Sequence, residues 1–195
     1  MQSRHPFQPD PSGPPRLQDP SFFTLGLVHV ITGNGKGKTS AAFGLGLRAV
    51  GHGLRVFAAQ FMKGDDRYGE FRSVQFLPNF EVQRFGTGGL IDMHHPSDED
   101  KAEAARGMAA AHEAMASGRY DVVILDELNV AVAWKLVPVE DVVGLIDEKP
   151  VGVEMVLTGR YAPLALIERA DYVTMLGQKK HPYTKGIVAR QGIDY

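Results

Sequence analysis

From Leu25 onward the chain alternates short apolar runs with longer segments whose apolar residues recur at helical spacing. The runs LVHVIT (27–32), RVFAAQF (55–61), FEVQRFG (80–86), DVVILD (121–126), VEMVLT (153–158) and YVTML (172–176) read as strands. Several are continuous in Val, Ile and Leu, as strands covered on both faces are. Between them the pattern predicts helices over 38–51, 98–117, 138–148 and 162–170. Asp98 is the expected N-cap of the second helix and Gly118 its terminator, while Pro138 and Pro163 suit a first helical turn. Alternation of this kind implies an α/β domain with a mostly parallel sheet flanked by helices. The segments 62–79 and 86–97 carry little period and read as loops. Loops at the carboxyl ends of parallel strands are where such sheets bind ligands.

Composition narrows the function classes. A chain of 195 residues buries a full core as one domain. Its net charge of −2, with no dominant Lys/Arg cluster, offers no electrostatic footprint for nucleic acid. The lack of cysteine excludes disulfides, thiolate metal sites and a cysteine nucleophile, and fits a reducing compartment. Residues 1–20 hold six prolines without the basic-then-apolar order of a signal peptide. The expected organisation is a disordered or partner-draped arm over 1–21 and one domain over 22–195, with Phe22, Phe23 and Leu25 as an apolar hinge. The apolar run 22–31 is about half the length that spans a bilayer, so no membrane partner is expected and the cytoplasm is the expected compartment.

The stretch TGNGKGKTS (32–40) lies between the first strand and the first helix. It resembles the phosphate-binding pattern G-x-x-x-x-G-K-[ST], except that its first glycine, Gly33, comes one position late. Gly33, Gly35 and Gly37 alternate with Asn34 and Lys36. Glycines let successive N–H groups turn toward an anion, and the helix that follows presents its N-terminal N–H groups to the same anion. Lys38 reaches phosphate oxygens in this motif, and the Thr39 hydroxyl ligates magnesium.

Two further strands end in polar residues. DVVILDELN places Asp126 and Glu127 at the sheet edge that carries the glycine loop, where acidic groups hold magnesium directly or through water. VLTGRYAP places Thr158, Gly159 and Arg160 there too. Arg160 fits either a bidentate phosphate clamp or a surface ion pair, and Arg48 in the first helix faces either nucleotide or solvent. The adjacent His94 and His95 make a poor chelating pair, and His181 fits a ligand contact or a structural role equally well.

Taken in order, TGNGKGKTSAAFGLGLRAVGHG, VFAAQFMKG, YDVVILDELN, LTGRYAP, ADYVTML and KKHPYTKGIVARQGIDY strongly resemble the ATP:corrinoid adenosyltransferases, from about Gly26 to Tyr195. The late Gly33 is itself a mark of that family. The resemblance implies a P-loop nucleoside triphosphatase fold of the recombinase-like kind, magnesium, a homodimer and a flavin-dependent reductase as partner. It also implies transfer of the 5′-deoxyadenosyl group of ATP to the cobalt(I) of a reduced corrinoid, cobalamin or cobyrinic acid diamide, with triphosphate leaving. By the same resemblance the nucleotide lies reversed in the loop, and Gly33 to Thr39 with Ser40 hold the triphosphate. Lys38 and Arg160 would then neutralise its charge, Arg48 would lie near the nucleoside, and Thr39 and Glu127 would hold magnesium.

One departure stands out: family members carry two aromatic residues in the loop after GTG, where this chain has Gly89 and Ile91. Either Leu90, Ile91 and Met93 supply an aliphatic floor in their place, or the enzyme favours precursors that lack the nucleotide tail, such as cobyrinic acid diamide, and the second is the expectation. Rival readings are a P-loop ATPase or nucleoside kinase, and a non-catalytic regulator that binds ATP and corrinoid.

Overall fold

Six parallel strands form one sheet in the order β3-β2-β4-β5-β1-β6. They are β1 (Val28–Thr32), β2 (Val56–Phe61), β3 (Phe80–Phe85), β4 (Val122–Asp126), β5 (Glu154–Thr158) and β6 (Tyr172–Met175). The protein is seen here in a computed structural model that describes residues 26–65 and 68–195. The arm expected over 1–21 and the hinge at Phe22, Phe23 and Leu25 lie outside the described residues.

Every expected strand is present, with its ends within one residue of those read from the apolar runs. β2 and β4 are buried along their whole length, as continuous apolar runs require. β6 differs: it lies at the sheet edge and all four of its residues are exposed.

Strand side chains alternate between two cores. Phe57, Ala59 and Phe61 of β2, with Val123 and Leu125 of β4, pack with α3 (Asp98–Ala116), α4 (Leu128–Ala133) and α5 (Val139–Asp147). Val56, Ala58, Val122 and Ile124 pack on the opposite face with Ala42, Phe43 and Ala49 of α1 (Lys38–Gly51). The buried α1 residues Lys38, Ala42, Gly46 and Ala49 recur at four- and three-residue spacing, so one stripe of α1 meets the sheet. Gly46 lies on that stripe, where a Cβ would come within 2.7 Å of the Phe80 ring.

The helices depart from expectation in four ways. The N-cap of α3 is Ser97, not Asp98: its hydroxyl accepts from the Asp100 amide at 3.1 Å while Asp100 accepts from the Ser97 amide. Pro138 and Pro163 are N-caps in extended conformation rather than members of the first turn. The helix expected over 162–170 is a single turn, α6 (Leu164–Ile167), because the Asp171 amide already bonds to the Val28 carbonyl and commits the chain to β6. Two short helices, α2 (Gly69–Val74) and α4, fall in segments where no helical period is legible. Five of the six α4 residues are buried, so no polar face marks it in the sequence.

Glu154 anchors the entry to β1. Its carboxylate accepts the amides of Gly26 and Leu27, each at 3.0 Å, and meets His29 Nε2 at 2.5 Å. Burial opposes its ionisation, but the bonds from His29 and the two amides outweigh burial and hold the carboxyl below its usual range. A depressed folded-state pKa contributes stability that is complete above the unfolded-state value and fades as pH falls through the folded-state one. Glu154→Gln is therefore expected to cost about 1–2 kcal/mol near neutral pH, a cost that shrinks in acid. Urea melts of both proteins at neutral and acidic pH measure it; a cost that does not vary with pH would rule out the charged clamp.

Candidate active site

The strand order sets β4, β5 and β1 side by side, so Asp126, Thr158 and Thr32 end at one edge of the sheet. The glycine loop leaves β1 at that edge. Gly33 has φ +102° and Gly37 φ +110°, both in the region that favours glycine. A Cβ on Gly33 or Gly35 would lie 2.5 or 2.7 Å from the Leu176 carbonyl oxygen, which accepts the Gly35 amide at 2.7 Å. The late glycine thus sits where the chain leaving β6 crosses the loop. Around Gly37 the space is open.

Lys38 opens α1 and is buried, its Nζ donating to the Gly35 carbonyl at 2.8 Å. Burial lowers its pKa, the carboxylates of Glu127 and Asp126 oppose that, and Arg160 adds to it. Beside it, the Thr39 hydroxyl donates to Asp126 Oδ1 at 2.9 Å. Asp126 is fully buried and also accepts from the Thr158 hydroxyl (2.8 Å), Gln60 Nε2 (3.0 Å) and Lys63 Nζ (2.6 Å). Burial disfavours its charge, but Lys63 and these hydrogen bonds hold its carboxyl below the usual range. For Lys63 likewise, burial is outweighed by Asp126 and its pKa is raised.

Glu127 follows with φ +64°, a left-handed turn that is uncommon for a non-glycine residue, and its amide donates to the Thr158 hydroxyl at 3.0 Å. Burial, then the neighbouring Asp126 carboxylate, pushes its carboxyl above the usual range. The two acids of DELN are thereby separated: Asp126 is consumed within the protein, and Glu127 lines a cavity of about 860 Å³.

The loop from Gly35 to Ser40, Lys63, Glu127 and Arg160 also line that cavity. One apolar wall comes from α1 and β3, with Phe43, Leu47 and Phe80; another comes from the C-terminal segment, with Tyr183, Ile187 and Val188. His181 lines it too. Of the residues singled out in the sequence, Gly33 and Asn34 lie outside the lining. Arg48 is exposed in the last turn of α1 and is also outside it, whereas the preceding Leu47 is inside. Lys36 turns to the chain terminus, donating to the Ile193 carbonyl at 2.6 Å and pairing with the Asp194 carboxylate.

A family model described as ATP:corrinoid adenosyltransferase BtuR/CobO/CobP matches residues 24–195. The corrinoid adenosyltransferase of Escherichia coli K12 is 39% identical over 170 residues, covering 87% of this chain and 86% of the relative. That of Salmonella typhimurium LT2 is 36% identical over 170 residues with the same shares, 87% and 86%. That of Pseudomonas aeruginosa is 37% identical over 174 residues, covering 87% of this chain and 84% of the relative. The chain belongs to the ATP:corrinoid adenosyltransferase family.

In this adenosyltransferase the parallel α/β sheet and P-loop agree with the fold expected from the sequence. Sequence reasoning missed Gln60 and Lys63 as parts of the site. Their only signal was two polar residues beside an otherwise apolar strand, in VFAAQFMKG. In the substituted loop Leu90 and Met93 are exposed, while Ile91 is partly buried and packs against the larger core cluster. Gly89 is exposed as well. Among the described residues no helix is long and apolar enough to cross a membrane.

Proposed function

We propose that this adenosyltransferase transfers the 5′-deoxyadenosyl group of ATP to the cobalt(I) of a reduced corrinoid, with release of intact triphosphate. The cobalt(I) electron pair forms the bond to C5′, and the C5′–O bond breaks with its pair leaving on triphosphate. The observation that carries this reading is the polar end of the cavity, where the glycine loop, the α1 N-terminus, Lys38 and Arg160 face one space. Such a surface stabilises charge that grows on a leaving polyphosphate. Holding the nucleotide against the corrinoid supplies the rest, because orientation converts a two-body encounter into a near-attack geometry.

Magnesium fits the groups present. Thr39 and Glu127 offer hard oxygen donors, and the cavity-lining Glu127 is a desolvated carboxylate beside a second carboxylate, a setting that a divalent cation relieves. Among the described residues no cluster of three or more His, Asp or Glu could hold a metal alone, so nucleotide oxygens and water would complete the shell. When bound, the ion would add positive charge against the triphosphate. Reduction of the corrinoid falls in this reading to a flavin-dependent reductase, and the working form is a cytoplasmic homodimer.

Incubation with Mg-ATP and chemically reduced corrinoid, followed by product identification, tests the reaction. Adenosylcorrinoid and triphosphate in equal amounts are expected; phosphate or a phosphorylated product would favour an ATPase or kinase instead. Glu127→Gln is expected to raise the half-saturating magnesium concentration about tenfold or more, through loss of a charged ligand. A magnesium titration that superimposes on the wild type would remove Glu127 from the metal site.

A further inference from the structure

Lys63 lies two residues beyond the end of β2, lines the cavity, and points its ammonium at Asp126 Oδ2, 2.6 Å away. The Tyr68 ring lies on another side, its centroid 4.8 Å from Nζ. Asp126 divides its two oxygens between two tasks. Oδ1 accepts the hydroxyls of Thr39 and Thr158, at 2.9 and 2.8 Å. Oδ2 accepts Lys63 and Gln60. The Thr158 oxygen in turn accepts the Glu127 amide, next to the left-handed turn that carries the Glu127 side chain to the cavity.

A threonine hydroxyl presents a lone pair to a cation when its proton points away, and an acceptor for that proton fixes this orientation. Asp126 Oδ1 takes that proton from Thr39, and it does so while the carboxylate is held in this rotation. The ammonium is the stronger of the two anchors on Oδ2, since charge-assisted hydrogen bonds exceed neutral ones. Gln60 is the weaker, and its own Oε1 has no partner among the described residues. Stability does not by itself call for an ion pair here, because well-packed apolar groups serve a core at least as well.

We propose that Lys63 is a positioning residue for the metal–nucleotide site, acting through Asp126 on the Thr39 hydroxyl and through Thr158 on the Glu127 turn. This rests on the reading of Thr39 and Glu127 as the groups that meet magnesium and ATP.

The chain has no cysteine, so Lys63→Cys introduces a single thiol. Alkylation with 2-bromoethylamine returns an ammonium at nearly the original reach, and a propyl halide gives a neutral adduct of similar length. Should Lys63→Cys not fold, the unfolded chain is alkylated first and then refolded. The readout is the ATP dissociation constant by calorimetry, with and without magnesium. In the wild type, magnesium is expected to tighten ATP about tenfold or more; in Lys63→Cys and its propyl adduct the two constants should agree within about twofold, and aminoethylation should restore most of the difference. Wild-type tightening in Lys63→Cys, equal recovery by both adducts, or no magnesium effect in the wild type would each overturn the assignment. The transfer assay is scored separately: a wild type that binds Mg-ATP with this linkage but makes no adenosylcorrinoid would sink the proposed reaction and leave the role of Lys63 standing.

Discussion

Lys38→Ala is expected to slow adenosyl transfer by about 150-fold or more, equivalent to roughly 3 kcal/mol of transition-state stabilisation, with the fold intact. Lys38 is the buried cation at the head of α1, and its Nζ already lies over the loop, 2.8 Å from the Gly35 carbonyl. Burial places it in a medium where its charge acts strongly on a developing anion. Lys36 cannot substitute while its ammonium is engaged with Ile193 and Asp194. The stability cost should be about 1 kcal/mol or less, because Lys38 makes a single hydrogen bond to a carbonyl beside the cavity. Product formation at saturating ATP, with a thermal melt as control, decides the matter; wild-type turnover would refute the assignment.

Asp126→Ala is expected to have the largest effect on stability, about 3–5 kcal/mol, because it breaks a buried pair and leaves the Lys63 ammonium uncompensated. Thr39, Thr158 and Gln60 lose their acceptor at the same time. Against the ~5–15 kcal/mol that holds a typical domain together, this is a large fraction, and a fall in melting temperature of about 6–20 °C should follow. Asp126→Asn should be milder, since the amide oxygen can still accept from the two threonines while its NH2 group faces the ammonium unfavourably. Denaturant melts of both variants test the ranking. A loss under about 1 kcal/mol for Asp126→Ala would mean that the pair is not the keystone its burial implies.

Lys36 and Lys38 show how far a linear motif reaches. Both stand in the glycine loop, and the sequence marks both as phosphate partners. Only Lys38 occupies the helix start and is buried; Lys36 is taken by Ile193 and Asp194, more than 150 positions further along the chain. Likewise Asp126 and Glu127 are adjacent and chemically alike, yet one is sealed in the core and the other lines the cavity. That division comes from the left-handed turn at Glu127 and from donors on β2, α1 and β5, none of which is near in sequence.

By itself the sequence determined the six strands, the parallel α/β class, the glycine loop with its following helix, and the family. Each of these is encoded locally, in a continuous apolar run, a helical period, or glycines at set spacing beside Lys-Thr. Only the tertiary structure decided why Gly33 and Gly35 must be glycines, which lysine is buried at the helix start and which pairs with the C-terminal residues, which acid lines the cavity, and that Lys63 lines it too. Those outcomes depend on the Leu176 carbonyl, the C-terminal segment and the crossing of β4 beside β2, contacts between segments that no local pattern encodes.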